Sequence, residues 1–199
     1  MKNRFLFFRN SLSDIFVGGY SSFYIAKLIK PSYLKGYRTF RESPMYWYFS
    51  YRAHSEAAIS ILARIYEKRP SGREDQLTLH KFLYFMEQNL SEIFDESVYE
   101  SVRMRVKEDQ IRLYKEDEII GRLNNIRDKV LGHFDISVLI DPEKQFHREN
   151  EISDDELERL YKISEDILTF YGVSFNGESI INSRILADNL ESNFSLFLV

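Results

Sequence analysis

The sequence contains no cysteine and is poor in glycine and proline. The absence of cysteine excludes disulfide bonds, thiolate zinc sites and cysteine nucleophiles, and it fits a reducing compartment. Only 8 glycines and 4 prolines occur among 199 residues, which favours long, uninterrupted elements in one main domain with appendages. The HExxH zinc motif, the Walker loop and the GxSxG elbow are also missing, so the common signatures of zinc proteases, P-loop enzymes and serine hydrolases do not apply.

Long apolar runs are missing as well. Near the N-terminus, the apolar run that starts at Phe5 is only four residues long, because Arg9 ends it. The apolar region of a secretory signal needs roughly 7–15 residues. The longest uncharged stretch there, Ile15 to Ala26, is shorter than the roughly 18 residues that span a bilayer. We therefore predict no export, no membrane contact and a cytoplasmic location.

The net charge of -4 does not suggest a nucleic-acid-binding protein, so any RNA contact needs a local basic patch. The clearest such stretch lies between Arg103 and Lys115, where five basic residues face only Glu108 and Asp109. These side chains can track a nucleic-acid backbone. A solvated helix face is the alternative that we prefer for this stretch.

Apolar residues are plentiful and recur at helical spacing. The chain is 44% hydrophobic and 15% aromatic, which suffices for a packed core. No segment alternates convincingly with a period of two. We predict an all-α protein, an up-and-down bundle of about four principal helices with extra terminal helices.

Capping residues place most of the helices. Ser43 followed by Pro44 starts one helix, Thr78 caps another, and Ser153 with Glu156 forms a capping box. In the N-terminal part, Gly18-Gly19 and Pro31 are expected breaks between one or two helices. The predicted helices after that part span about 43–69, 78–94, 97–115, 119–134, 153–172 and 178–190, with a loop at 136–150. The predicted divisions are an N-terminal helical arm (1–42), a helical bundle (43–172), and a C-terminal helix with an apolar tail (173–199).

One charged residue interrupts the apolar stripe of the 119–134 segment. At about 100° per residue, the apolar residues share one side, and Arg127 falls among them between Phe134 and Ile120. An arginine on an apolar face keeps its charge, so it needs a carboxylate, a ligand or trapped water. Judged by this anomaly alone, a structural ion pair or a side chain that reaches the rim is the simpler interpretation.

His133 follows Arg127 by six residues, about 9 Å along an α-helix axis. Gly132 would let the helix loosen there and re-aim the imidazole. A permanent cation beside a group that titrates near neutrality suits phosphodiester cleavage without a metal. The histidine can move protons to and from the ribose 2′-hydroxyl and the leaving oxygen, while the guanidinium stabilises charge on the phosphoryl oxygens.

The segment from Arg127 to His133 resembles the signature of the HEPN superfamily of helical ribonucleases, in which an arginine and a polar residue precede a histidine. Its flanks, Leu123 to Ile126 before and Phe134-Asp135 after, resemble the abortive-infection (AbiU-like) branch. The upstream helix that begins near Tyr46-Trp47 resembles that branch too. The likeness covers about residues 43–172.

This resemblance implies a metal-independent endoribonuclease, a toxin or antiviral abortive-infection effector that acts as a homodimer with both motifs at one groove. It implies that Arg127 stabilises phosphoryl charge, that His133 transfers protons, and that Asp128 orients a neighbour or contacts RNA. It also implies an RNA substrate, no cofactor, no metal, and room for an antitoxin protein as a partner. We further expect RNA contacts or supporting roles for Lys129, Asn124, Arg105 and Arg112.

Two other functions remain open. The chain can be a catalytically silent helical interaction module whose stripe around Arg127 is a dimer interface, or an RNA-binding regulator that never cuts. An exposed His133 in a concave, basic dimer cleft would favour the enzyme, whereas both motif residues sealed in ion pairs would favour the module. His54, on the apolar face of the 43–69 helix, is predicted to be a hydrogen-bonded core residue rather than a member of the site.

Overall fold

The computed structural model describes residues 1–68, 77–132, 145–177, 179, 182–196 and 198. All regular elements within these ranges are helical, which confirms the all-α class. A π-helix, Arg127–Gly132, directly follows α6. The α-helices are α1 (Lys2–Lys35), α2 (Arg38–Glu42), α3 (Pro44–Ile65), α4 (Leu79–Ile93), α5 (Glu96–Lys115), α6 (Asp117–Ile126), α7 (Gln145–Glu149), α8 (Asp154–Asn176) and α9 (Ser183–Ser195).

The N-terminal part forms one long helix, α1, followed by the short helix α2. The expected breaks at Gly18-Gly19 and Pro31 were wrong, since all three residues lie inside α1. Pro31 removes one backbone donor, and little more than one turn of α1 follows it. Gly19 serves packing rather than a turn: a Cβ there would lie 2.6 Å from Cγ2 of Ile61 and 2.9 Å from Oη of Tyr161. Its missing side chain therefore lets α1 lie directly against α3 and α8.

Helices start at the three predicted capping positions, Ser43, Thr78 and Ser153. Thr78 accepts a hydrogen bond from the Lys81 amide at 3.2 Å before α4, and Ser153 with Glu156 forms the capping box of α8. Ser43 precedes α3 and Pro44 is its first residue, but the Ser43 side chain makes no capping hydrogen bond. Proline suits this first position because its missing N–H needs no partner there.

Several helix ends differ from the predicted ones. α3 ends at Ile65 instead of near residue 69, α7 occupies part of the predicted loop 136–150, and α9 is shifted from about 178–190. α8 continues past Gly172, which is buried, and ends where Gly177 adopts a φ of 75°. Glycine takes this left-handed conformation at no steric cost, so the true C-cap is Gly177. The three-part division of the chain stays a prediction.

One apolar core joins α1, α3, α4, α5, α6 and α8. Tyr161 of α8 lies within it: its ring packs against Phe16 and Phe23 of α1. The Tyr161 hydroxyl donates a hydrogen bond to the Ala58 carbonyl of α3 at 3.0 Å. The polar end of the tyrosine is thus satisfied inside the core, and it ties α8 to α3.

A second, smaller apolar cluster lies where α1, α2 and α3 meet. Phe40 stacks on Trp47 with ring centroids 4.3 Å apart, and Ile29 completes the buried set. Phe194 and Leu198 pack against this cluster, as expected for an apolar C-terminal segment. Within the described ranges, no helix combines the length and apolar character that crossing a bilayer requires.

Candidate functional site

The motif residues Arg127 to Gly132 form a π-helix instead of continuing the ideal α-helix expected through residue 134. In a π-helix the backbone bonds join residue i to i+5, so the turn widens and side chains leave the α-helical spacing. The axial estimate of about 9 Å between the two motif residues therefore does not apply. Single π-turns are frequent at functional sites. His133 itself lies outside the described residues.

Arg127 is half-buried and makes two ion pairs. Its Nε donates to Oδ1 of Asp128 at 2.7 Å, and a terminal nitrogen donates to Oε2 of Glu67 at 3.4 Å. The hydrogen bond to Asp128, with the charge of Glu67 in addition, raises the pKa of the Arg127 guanidinium. The site therefore holds a permanent cation.

Glu67 is a site residue that we did not predict. It comes just after α3 and precedes Arg127 by 60 residues, so no local spacing connects them. The one sequence signal was general: an arginine on an apolar face requires a partner. The side chain of Arg127 is 24% exposed and that of Glu67 is 16% exposed. The guanidinium is thus paired but not sealed, and one side of it still meets solvent.

A cleft of about 430 Å³ lies between α3 and the π-helix. Val130 and Leu131, which belong to the motif, line one wall. The other wall is the outer face of α3, lined by Arg52, Ala53, Glu56, Ala57 and Ser60. Three of these five side chains are small, so α3 leaves a concave surface beside the motif. The Arg52 guanidinium donates to Glu56 at 2.7 Å and places a charged pair in the cleft wall.

The other predicted residues near the motif are accessible to different degrees. Asp128 and Lys129 are exposed, and the Lys129 ammonium lies 5.4 Å from the ring centroid of Phe146 in α7. Asn124 is half-buried, and its Oδ1 accepts no hydrogen bond within the described part of the chain. A buried acceptor without a donor is costly. Asn124 therefore stays a candidate for contact with a ligand or a water.

Arg105 and Arg112 lie on α5 and face α8 rather than the π-helix. The Arg105 Nε donates to both carboxylate oxygens of Asp109, at 3.1 and 3.0 Å, and a terminal nitrogen donates to Asp166 at 2.6 Å. Arg112 donates to the same Asp166 carboxylate. Burial raises the pKa of the Asp109 carboxyl group. The contacts of both arginines thus join α5 to α8 and do not involve the π-helix.

His54 is half-buried on α3, and burial lowers the pKa of its imidazole. Its expected role as a hydrogen-bonded core residue stays a prediction. In the portion of the chain that the structure describes, no cluster of three or more His, Asp and Glu side chains could hold a metal ion.

One family of proteins matches nearly the whole chain. The family model HEPN_AbiU2, described as AbiU2, matches residues 10–192. This match extends beyond 43–172 at both ends and takes in most of α1 and α9 together with the motif. No curated protein and no solved structure matches the chain. The all-α fold and the extent of the family match lead to one conclusion: the chain belongs to the AbiU2 family of HEPN proteins.

Proposed function

We propose that the chain is a metal-independent endoribonuclease, a toxin or abortive-infection effector that acts in the cytoplasm as a homodimer. The observation that carries this proposal is the setting of Arg127. It is a permanent, half-buried cation in a π-helix in which Val130 and Leu131 line a cleft. Membership of the AbiU2 family supports the same assignment.

In the proposed reaction, the ribose 2′-oxygen attacks the phosphorus and its proton passes to the imidazole of His133. The bond between phosphorus and the 5′-oxygen breaks, and an imidazolium donates a proton to the leaving oxygen. The histidine of a second protomer can be that acid. The products are a 2′,3′-cyclic phosphate and a 5′-hydroxyl. Arg127 stabilises the negative charge that develops on the non-bridging phosphoryl oxygens, and it releases Asp128 or Glu67 to do so.

The outer face of α3 supports the homodimer. Met45, Phe49 and Ala53 recur at four-residue steps along this face and are all exposed. The apolar stripe leads into the cleft beside Val130, where the α3 wall continues with small side chains. Two copies that met along this face would bury the stripe and bring both motifs to one groove.

A matched pair of substitutions tests this interface. Phe49 on α3 and Met104 on α5 are each 58% exposed. Phe49→Arg should dissociate the dimer because the two copies would place cations against each other, whereas Met104→Arg should not. Sedimentation at micromolar concentration measures the outcome. A wild-type protein that sediments as a clean monomer would remove the composite site.

We also expect RNA binding to depend on salt through the basic residues between Arg103 and Lys115. Each phosphate contact to a single strand contributes about 0.7 to the slope of log K against log salt. Replacing Arg105 and Arg112 with glutamine removes two cations and should therefore make the slope less steep. In the wild type, Asp166 pairs with both arginines and competes with RNA for them. Arg159→Gln is the control, since Arg159 lies on α8 and pairs with Glu116. An unchanged slope in the double variant would assign the stretch to solvated surface.

The second candidate is a HEPN-like module that binds a partner or RNA without cutting. It is favoured by the two ion pairs of Arg127, which account for the charge without any substrate. Arg127→Lys discriminates between the two functions. A lysine keeps a cation beside Glu67 but loses the planar, forked donor that suits a phosphoryl group. If the chain is an endoribonuclease, Arg127→Lys should lose cleavage with a nearly unchanged thermal midpoint. If the chain is a non-cutting module, both the wild type and the variant should leave RNA intact.

The experiment that tests the proposed function is incubation of the purified protein with total RNA in excess chelator. Cleavage should persist, and the new 3′ ends should carry 2′,3′-cyclic phosphates because the 2′-hydroxyl is the nucleophile. Loss of the activity on removing divalent metal would contradict the mechanism. Intact RNA after incubation with a folded, dimeric protein would favour the second candidate.

A further inference from the structure

An aromatic groove lies between the C-terminal part of α1 and the start of α3. It has a volume of about 260 Å³, several times the roughly 30 Å³ that one water occupies. Tyr33 is 43% exposed, Tyr48 is 45% exposed and Leu34 is 78% exposed. The full lining consists of Ile29, Lys30, Tyr33, Leu34, Trp47, Tyr48 and Tyr51. Open apolar surfaces of this kind commonly mark binding sites.

The chain around this groove is basic, although the whole protein carries a net charge of -4. Residues 27–52 contain six basic side chains and one acidic side chain, a segment charge of 6 - 1 = +5, which the three carboxylates outside the segment that pair with it reduce to 5 - 3 = +2. Four of the six pair with carboxylates, namely Lys27 with Glu158, Lys30 with Asp154, Arg38 with Glu42 and Arg52 with Glu56.

Lys35 and Arg41 are the two cations left over. Both are exposed, and neither forms an ion pair with a described carboxylate. Lys35 follows Leu34 of the groove, and Arg41 follows Phe40, which stacks on Trp47. Both cations therefore follow directly, in sequence, residues that line the groove or stack on its lining.

Flat rings in a groove flanked by cations match one ligand chemistry, an unpaired nucleobase with the phosphates on either side of it. Bases stack on aromatic side chains whatever their sequence, and cations track the backbone between them. A second copy of the chain fits less well, because a two-fold interface here would set the same positive surface against itself. The charge of the groove therefore favours a polyanion.

We propose that this groove binds an unpaired base of single-stranded RNA, with Tyr48 as a stacking platform and with Lys35 and Arg41 holding adjacent phosphates. The inference rests on the proposed function, since the RNA would be the substrate of the cleft. α3 connects the two places: Tyr48 lines the groove, and Arg52, one helical turn later, lines the cleft. A strand bound at Tyr48 therefore continues along α3 toward the motif.

The test is binding of a labelled single-stranded 2′-O-methyl RNA, measured by fluorescence anisotropy. This probe lacks the 2′-hydroxyl and stays intact, so binding is measured independently of cleavage. Tyr48→Leu removes the ring, and Tyr48→Phe keeps it. Tyr84→Leu is the matched control, because Tyr84 lies on α4 and is 63% exposed. The fluorescence of Trp47, the single tryptophan of the chain, reports on the groove directly.

Loss of one stacked base should weaken binding by about 5- to 140-fold in Tyr48→Leu. Tyr48→Phe and Tyr84→Leu should bind as the wild type does, and single-stranded but not duplex RNA should change the Trp47 fluorescence. Equal affinity of Tyr48→Leu and wild type would overturn the inference while leaving cleavage in the π-helix cleft untouched. Tyr48-dependent binding by a protein that never cuts would support the inference and contradict the proposed function. The inference would be overturned if the wild type bound no RNA. It would also be overturned if Tyr48→Leu changed only the oligomeric state of the protein.

Discussion

Replacing His133 with alanine should abolish RNA cleavage while leaving the helical fold and the thermal midpoint nearly unchanged. Loss of a general acid or base typically lowers a rate by about 10²–10⁴. His133 comes directly after Gly132, where the π-helix ends, so we expect its truncation to remove chemistry rather than core volume. The measurement is cleavage of total RNA in chelator, beside thermal unfolding of the same preparations.

Arg127→Ala should be compared with His133→Ala. It should also remove activity, but it leaves the Glu67 carboxylate without its cation at 16% exposure. A half-buried carboxylate that loses its partner is left partly desolvated without a counter-charge, which destabilises a protein. The thermal midpoint should therefore change more in Arg127→Ala than in His133→Ala. This contrast would separate the two proposed roles: His133 would act in the reaction alone, whereas Arg127 would act in the reaction and also joins the π-helix to Glu67, just after α3.

Three results would contradict this assignment in different ways. Full cleavage by the His133→Ala protein would overturn the proton-transfer role. A His133→Ala protein that fails to fold would place the histidine in the structure instead. Equal thermal midpoints for wild type and Arg127→Ala would show that the half-buried ion pair with Glu67 contributes nothing measurable to stability.

Two adjacent glycines of α1 should respond to the same substitution with opposite signs. Gly19→Ala should destabilise the protein by about 1–3 kcal/mol, because its methyl group would meet Ile61 and Tyr161 at less than 3.0 Å. Gly18→Ala should stabilise it by about 0.5–1 kcal/mol, since alanine is the better helix former. Nothing lies within 4 Å of the Cβ that Gly18 would gain.

The measurement is denaturant or thermal unfolding of the two variants beside the wild type. For a chain of this length, each kcal/mol shifts the thermal midpoint by roughly 2–4 °C. Both substitutions add one methyl group to the same helix, so composition and helix propensity cancel in the comparison. Equal stabilities of the two variants would show that α1 does not pack closely on α3 and α8 at Gly19.

The helical class and most helix starts could be predicted because they depend on neighbours in the chain. Periodic apolar residues select a helix over a strand, and a capping side chain acts on an amide three residues away. Thr78 and Ser153 illustrate this, since each forms its predicted bond within one turn. The anomaly of Arg127 was equally local, because it needed only the pattern of the surrounding stripe.

The sequence by itself therefore determined an all-α chain with a charged motif on an apolar face, and that motif with its flanking residues carried the likeness to the AbiU-like branch of HEPN proteins. Tertiary structure alone decided that Arg127 pairs with Glu67, that Gly19 is a contact rather than a break, and that Arg105 and Arg112 share Asp166. Each of these facts joins residues that lie 42 or more positions apart in the chain. Local spacing carries no information about such pairs, because only the packing of one helix on another brings them together.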